Sequence, residues 1–150
     1  MGGVSERIRT FVDALPLEPH MRVLELGCGP GVAARLVRPR VKFVLGVDRS
    51  ARALTQARRQ SDDIAFLQAD IESFTLPRGM RRFDLAFAMR VGALDGRHPE
   101  LEARALQRIA AALKPGGRLF IDGGAPLREL AVPAASQRTR TPRSTSARRR

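Results

Sequence analysis

Three glycines on alternate positions, Gly27, Gly29 and Gly31, form the stretch of this 150-residue chain that is best suited to hold a ligand. They follow a short apolar run at residues 23–26, which is typical of a buried parallel strand. Because glycine has no Cβ, its backbone adopts positive φ and approaches a bound molecule closely. The helix that follows directs its amide dipole toward the same place. The pattern therefore predicts a ligand-binding turn after the first strand.

The spacing of these glycines bears on which ligand binds. A dinucleotide loop has the pattern Gly-x-Gly-x-x-Gly, and its third glycine would fall at position 32, where this chain has Val32. A nicotinamide dinucleotide is therefore disfavoured. Glu25 lies two residues before Gly27, and a carboxylate inside a strand is costly unless it faces a cationic or hydrogen-bonding group of the ligand.

Residues 25–31, Glu-Leu-Gly-Cys-Gly-Pro-Gly, resemble the first motif of the class I S-adenosylmethionine (SAM)-dependent methyltransferases. The resemblance implies a glycine loop under the methionyl part of SAM, formed by Gly27, Cys28, Gly29 and Gly31, with Glu25 close to the amino-acid end. Residues 114–122 resemble the turn and fifth strand of the same enzymes. The resemblance covers about residues 4–121 and implies a doubly wound, mostly parallel α/β sheet with helices on both faces, a Rossmann-like fold.

Asp48 is the predicted ligand for the ribose of the cofactor. It ends the second predicted strand, at residues 41–47, and its two oxygens can accept from both ribose hydroxyls. Arg49, the next residue, is also predicted to bind the cofactor. The alternative for Asp48 is to cap the following helix, a role for which Ser50 competes.

The end of the third predicted strand, at residues 64–67, is where the resemblance implies the adenine site. Asp70 would bind the adenine amino group, and the backbone amide of Ile71 would meet the ring. Glu72 would replace Asp70 if the register differed by two residues. A surface loop is the alternative interpretation of these acids.

Substrate chemistry is expected where the fourth predicted strand ends, at residues 83–90, because the carboxyl ends of parallel strands line the ligand crevice. Met89 is expected to border the cofactor, and Arg90 and Val91 the substrate. This segment contains neither an Asn/Asp-Pro-Pro-Tyr/Phe sequence nor a Pro-Cys nucleophile, which argues against methylation of a base amino group or of cytosine C5.

Asp95 and His98 are candidates for a general base that deprotonates a hydroxyl, since histidine titrates in the useful range. The alternative is a polar turn that caps the next helix, with Pro99 at its first position. Transfer from a sulfonium needs mainly in-line positioning, so no covalent catalysis is expected.

The elements that must position these residues follow from apolar spacing. Helices are predicted at residues 5–15, with Ser5 as N-cap, and at 32–37, 52–59 and 101–113. In the first helix, Arg7 or Phe11 either covers the cofactor pocket or simply packs on the sheet. Because no apolar periodicity follows residue 130, the sheet is expected to be truncated after its fifth strand.

Composition predicts one domain at residues 1–130 and a disordered, Arg-rich tail at 131–150. The net charge is +12, and six arginines without any acid lie at residues 136–150, which suggests either weak nucleic-acid contact or a solubilising role. No 18-residue apolar run or export leader is present, so a cytoplasmic protein without membrane contact is expected. The single cysteine, Cys28, argues against a disulfide or a cysteine-based zinc site, and no metal is expected.

The favoured function is methyl transfer from SAM to a small-molecule acceptor. Three alternatives stay open: a SAM-dependent methyltransferase acting on RNA, a non-catalytic SAM-binding protein, and a NAD-dependent enzyme, which Val32 disfavours. The truncated sheet also suggests a homo-oligomer in which a second copy covers the exposed edge.

Overall fold

The computed structural model of the chain describes residues 4–134. Its α-helices are α1 (Glu6–Ala14), α2 (Val32–Val37), α3 (Ala51–Gln60) and α4 (Pro99–Ala112). Its strands are β1 (Arg22–Leu26), β2 (Phe43–Asp48), β3 (Ala65–Gln68), β4 (Phe83–Ala88), β5 (Leu113–Asp122) and β6 (Leu127–Leu130). Most of the tail predicted at 131–150 lies outside the described residues, so its disorder stays a prediction.

The six strands form one sheet in the order β3-β2-β1-β4-β5-β6, in which β1 to β5 are parallel and β6 is antiparallel to β5. Alternate residues of β1 face opposite sides of the sheet. Val23 joins a buried cluster with α1 and α2, whereas Leu24 joins a second cluster with α4. The predicted doubly wound, mostly parallel fold with helices on both faces is therefore confirmed.

The predicted truncation after the fifth strand is wrong in one respect, because β6 extends the sheet. Leu127 to Leu130 returns along β5, so that Leu127 pairs with Asp122 and Leu130 with Leu119. Arg118 of β5 donates to both carboxylate oxygens of Glu129 at 2.8 and 2.9 Å. The prediction missed this strand because Leu-Arg-Glu-Leu lacks the period-two alternation that marks a half-buried strand.

The helix positions that bear on the site agree with the predictions to within two residues. Ser5 caps α1, since its Oγ accepts from the amide of Ile8 at 3.3 Å. The apolar side of α1 buries Phe11 and Val12 against the sheet. This packing places the first turn of α1 near the carboxyl edge of the sheet, where Arg7 contacts the end of β5. No helix within residues 4–134 combines the length and hydropathy that crossing a membrane requires.

Candidate active site

The glycine turn that follows β1 is held by the end of β2. The amides of Gly27 and Cys28 both donate to the carbonyl of Val47, at 2.7 and 3.1 Å. Gly27, Gly29 and Gly31 adopt φ values of 68°, 51° and 84°, the left-handed region that side chains other than glycine avoid. The predicted turn is therefore present, and its backbone conformation explains the need for three glycines.

Asp48 anchors this turn from the end of β2. Its Oδ2 accepts from the amide of Gly29 at 2.8 Å, and its Oδ1 accepts from the amide of Ser50 at 2.8 Å. The role of helix cap belongs to Ser50, whose Oγ accepts from the amide of Ala53 at 3.1 Å. Each carboxylate oxygen of Asp48 keeps a second lone pair, so the carboxylate can still accept two hydroxyls.

Glu25 is a buried carboxylate with one orphaned oxygen. It is 4% exposed, and within residues 4–134 its Oε2 has no hydrogen-bond partner. The pKa of Glu25 is raised from 4.5 to about 8, chiefly by burial and also by the charge of Asp48, while the charge of Arg35 opposes both. An unsatisfied buried carboxylate is costly in the absence of a ligand. The site therefore fits a cationic or hydrogen-bond-donating group.

Two cavities meet at the glycine turn. The first, here called the loop cavity, has a volume of about 360 Å³ and is bordered by Arg7, Glu25, Gly27, Cys28, Gly29 and Met89. The second, the ribose-side cavity, has a volume of about 390 Å³ and is bordered by Asp48, Arg49, Asp70, Ile71, Glu72 and His98. Gly27 and Arg90 line both cavities. The two adjacent cavities therefore suit one elongated ligand that crosses the glycine turn.

Most of the predicted cofactor residues therefore lie together around these two cavities. Gly31 is the exception, because it borders neither cavity and instead begins α2 as its N-cap. Its own packing is tight, since a Cβ there would lie 3.2 Å from Nη1 of Arg35. Arg35 Nη1 donates to the carbonyl of Pro30 at 2.7 Å. Gly31 thus shapes the turn rather than lining a cavity.

Cys28 borders the loop cavity, but its side chain packs over β2. A Cβ at Gly46 would lie 2.8 Å from Sγ of Cys28 and 3.0 Å from Phe66, so glycine at 46 makes room for the thiol. Cys28 is 5% exposed, and burial raises the pKa of its thiol. A buried thiol of this kind is a packing group rather than a nucleophile.

Asp95 and His98, the two candidates for a general base, make no hydrogen bond to each other within residues 4–134. Asp95 accepts from the amide of Arg97 at 2.9 Å and from its Nε at 2.7 Å. These bonds hold the pKa of the Asp95 carboxyl below its usual value. Asp95 and His98 also border different cavities, and His98 stands at the N-cap of α4 before Pro99. A catalytic role for Asp95 or for His98 stays a prediction.

Asp122, at the carboxyl end of β5, was not predicted as a site residue. Its Oδ1 accepts from the amide of Arg90 at 2.9 Å, and its Oδ2 accepts from Nη2 of Arg7. Arg90 follows β4 with φ of 53°, a left-handed conformation. An acid at the end of a parallel strand was the signal used for Asp48, and the same signal was available for Asp122. The residue thus joins α1, β4 and β5 beside the loop cavity.

Val91, the second predicted substrate residue, packs against the glycine turn. A Cβ at Gly27 would lie 2.8 Å from Cγ2 of Val91. Val91 also borders the ribose-side cavity, together with Leu101, whose position in the apolar pattern of α4 gives no indication of a binding role. Within residues 4–134, no cluster of three or more His, Cys, Asp or Glu side chains is placed to hold a metal ion.

Comparison with known proteins connects this geometry to a family. A family model described as a methyltransferase domain matches residues 23–117, more than half of the chain. A trans-aconitate 2-methyltransferase from Methylobacterium nodulans is 39% identical over 121 residues, which cover 77% of this chain and 44% of the relative. A malonyl-(acyl-carrier protein) O-methyltransferase from Enterobacter lignolyticus is 37% identical over 106 residues, or 70% of this chain and 39% of the relative.

Comparison with solved structures also finds a methyltransferase. An S-adenosylmethionine-dependent methyltransferase from Mesorhizobium loti matches with a TM-score of 0.65 and 28% identity, over 78% of this chain and 53% of the other. The chain spans less than half the length of the two curated relatives and about half of the solved one. The matched residues include the glycine turn and the ends of β1, β2 and β4.

Proposed function

The chain belongs to the class I S-adenosylmethionine-dependent methyltransferases, and from this premise we propose that it transfers a methyl group from SAM to a small-molecule acceptor. SAM is the cofactor of this family, and when bound it supplies a methyl group made electrophilic by the sulfonium. The task of the chain is then to bind and orient the cofactor and the acceptor and to exclude water.

The observation that carries the proposal is the orphaned carboxylate of Glu25 beside a turn anchored by Asp48. Glu25 would accept from the ammonium of the cofactor's amino-acid end, which would satisfy its free oxygen. Asp48 would accept from the ribose hydroxyls with its remaining lone pairs. Arg7, which borders the loop cavity, would face the carboxylate of the same amino-acid end.

We assign the adenine to the ribose-side cavity, beside Asp70 and Ile71. Asp70 is exposed there and would accept from the adenine amino group, while the backbone amide of Ile71 would meet the ring. Leu101 is 36% exposed, although it is a large apolar side chain, and it borders the same cavity. Stacking of a flat heterocycle would cover it. Met89, at the exit of β4, borders the loop cavity and would lie near the methyl group.

The first acceptors to test are small organic acids, since the names of two relatives include trans-aconitate and a malonyl group. The 150-residue chain would be incubated with SAM that carries tritium on its methyl group, together with single acids, alcohols, amines and thiols. We expect label in the product of at least one small acceptor, and none when S-adenosylhomocysteine is present in excess. A chain that binds SAM but labels no small acceptor would favour the non-catalytic alternative.

The remaining predictions about partners and location stay as predictions. The arginines of the tail, at residues 138–150, lie outside the described residues, so weak nucleic-acid contact through them is untested. The two edges of the sheet are β3 and β6, and association of a second copy with either edge is untested as well. Transfer of label to RNA but to no small molecule would favour the RNA-methylating alternative.

A further inference from the structure

A third cavity opens where β4 and β5 end, and it shares Arg90 with both cofactor cavities. It has a volume of about 310 Å³, and we call it the Arg90 cavity. Its apolar wall includes Leu94 and Ile121, and its charged side chains are Arg90, Asp95, Arg97 and Asp122. Because Arg90 also borders the loop cavity, a molecule in the Arg90 cavity would lie next to the cofactor.

The charges in this cavity leave one guanidinium without a partner. Asp95 is occupied by Arg97, and Asp122 is occupied by the amide of Arg90 and the guanidinium of Arg7. The guanidinium of Arg90 has no hydrogen-bond or ion-pair partner among residues 4–134. Arg97 compensates the charge of Asp95, and Arg7, which lies outside this cavity, compensates that of Asp122. The guanidinium of Arg90 is therefore the charge left to pair with an anion.

The backbone of Arg90 is a second, independent indication. Arg90 is the one non-glycine residue of the described chain with positive φ, at 53°. L-residues avoid this region because Cβ crowds the carbonyl, and such conformations concentrate at ligand-binding sites. The bond from the Arg90 amide to Asp122 at 2.9 Å holds the backbone there. Asp122 is thus a positioning residue for the side chain of Arg90.

We propose that the acceptor is a carboxylate held by the guanidinium of Arg90, and that the product is a methyl ester; this inference rests on the proposed methyl transfer. A carboxylate oxygen forms a bond to the methyl carbon as the carbon–sulfur bond breaks, and the electron pair of that bond stays on sulfur. The sulfonium becomes a neutral thioether and the carboxylate becomes a neutral ester. No proton leaves the acceptor.

This proton balance agrees with the groups that line the cavity. A hydroxyl or ammonium acceptor would need a base, whereas a carboxylate is already ionised at neutral pH. The two carboxylates that line the cavity, Asp95 and Asp122, are both engaged in hydrogen bonds with arginines. The arginine fork suits a planar carboxylate, which it binds through two hydrogen bonds.

The test compares the native chain with Arg90→Gly. Glycine adopts positive φ without cost, so this variant removes the guanidinium and keeps the backbone conformation. Its melting temperature is expected to equal or exceed that of the native chain, which separates loss of function from loss of fold. Arg104→Gln, at an exposed position of α4 away from the cavities, is the matched charge control.

The acids named above and their amide analogues are each incubated with the chain and tritiated SAM. We expect label only in the acids, as a methyl ester from which alkali releases volatile tritiated methanol. In Arg90→Gly the KM for the acid should rise about 10- to 100-fold, with the Kd for SAM within about twofold, because one charged hydrogen-bonding group is lost. Arg104→Gln should behave as the native chain.

Three results would overturn the inference. Alkali-stable label, or label in amines and in no acid, would show another acceptor class. An increase in the Kd for SAM with an unchanged KM would show that Arg90 binds the carboxylate of the cofactor instead. A native chain that does not bind SAM, or that binds it and labels no small acceptor, would instead contradict the proposed function itself.

Discussion

Replacement of Asp48 by alanine is expected to weaken SAM binding by at least about 100-fold. The variant would lose the hydrogen bonds between the Asp48 carboxylate and both ribose hydroxyls. Hydrogen bonds to a charged group contribute about 1.5 to 3 kcal/mol each. The variant also releases the amide of Gly29, which Asp48 holds at 2.8 Å, so the glycine turn is less ordered before binding. Titration calorimetry of both proteins measures the change.

The control for this variant is Asp62→Ala, because Asp62 is exposed in the loop before β3 and borders neither cofactor cavity. It removes the same charge and should leave the Kd for SAM unchanged. Circular dichroism and thermal melting of Asp48→Ala establish that its sheet is intact. An Asp48→Ala protein that is folded and binds SAM like the native chain would remove Asp48 from the site.

The stability of the chain without ligand is expected to fall as the pH rises from about 4.5 to about 8, because Glu25 is buried with its pKa raised to about 8. In this window the folded state retains a proton on Glu25 that the unfolded state has lost, so the free energy of unfolding decreases with pH. A shift of this size corresponds to a loss on the order of 4 kcal/mol across the window. Urea unfolding at pH 5, 6, 7 and 8.5 measures it.

The matched variant is Glu25→Gln, which keeps the shape of the protonated side chain and cannot ionise. Its stability should exceed that of the native chain at pH 8.5, and the difference between the two proteins should disappear near pH 5. Equal pH dependence in both proteins would show that Glu25 is solvated or paired in solution.

Cofactor binding extends the Glu25 prediction. An ammonium next to Glu25 favours the ionised carboxylate, so SAM binding at pH 7 should release a proton from the native chain. Calorimetry in two buffers of different ionisation enthalpy measures this proton. Its absence in Glu25→Gln, together with weaker SAM binding, assigns it to Glu25.

The sequence predicts the parts of the site that depend on neighbours along the chain. The glycine turn follows β1, Asp48 is the last residue of β2 and Asp70 lies two residues beyond β3, so strand pattern and residue type locate them. Asp122 follows a strand too, but its role depends on Arg7, which lies 115 residues away, and on the amide of Arg90. No local pattern reports such contacts. The left-handed conformation of Arg90 could not be predicted either, because an arginine gives no indication of positive φ.

Two features of the structure were not expected from the sequence, and their physical causes differ. The partner of Asp95 is Arg97, two residues along the chain, and this arginine competes for the carboxylate more strongly than a histidine does because it is always charged. Strand β6 is stabilised by its pairing with β5 and by the bond between Arg118 and Glu129 rather than by its own apolar pattern. Tertiary context decides such short strands.

The central claim is that the two cavities at the glycine turn together bind SAM. Titration calorimetry of the native chain with SAM, S-adenosylhomocysteine and NAD tests it most directly. The structure predicts micromolar binding of the first two and none of NAD, because Val32 stands where a dinucleotide loop needs glycine. Binding of NAD, or of none of the three, would contradict the assignment of the site.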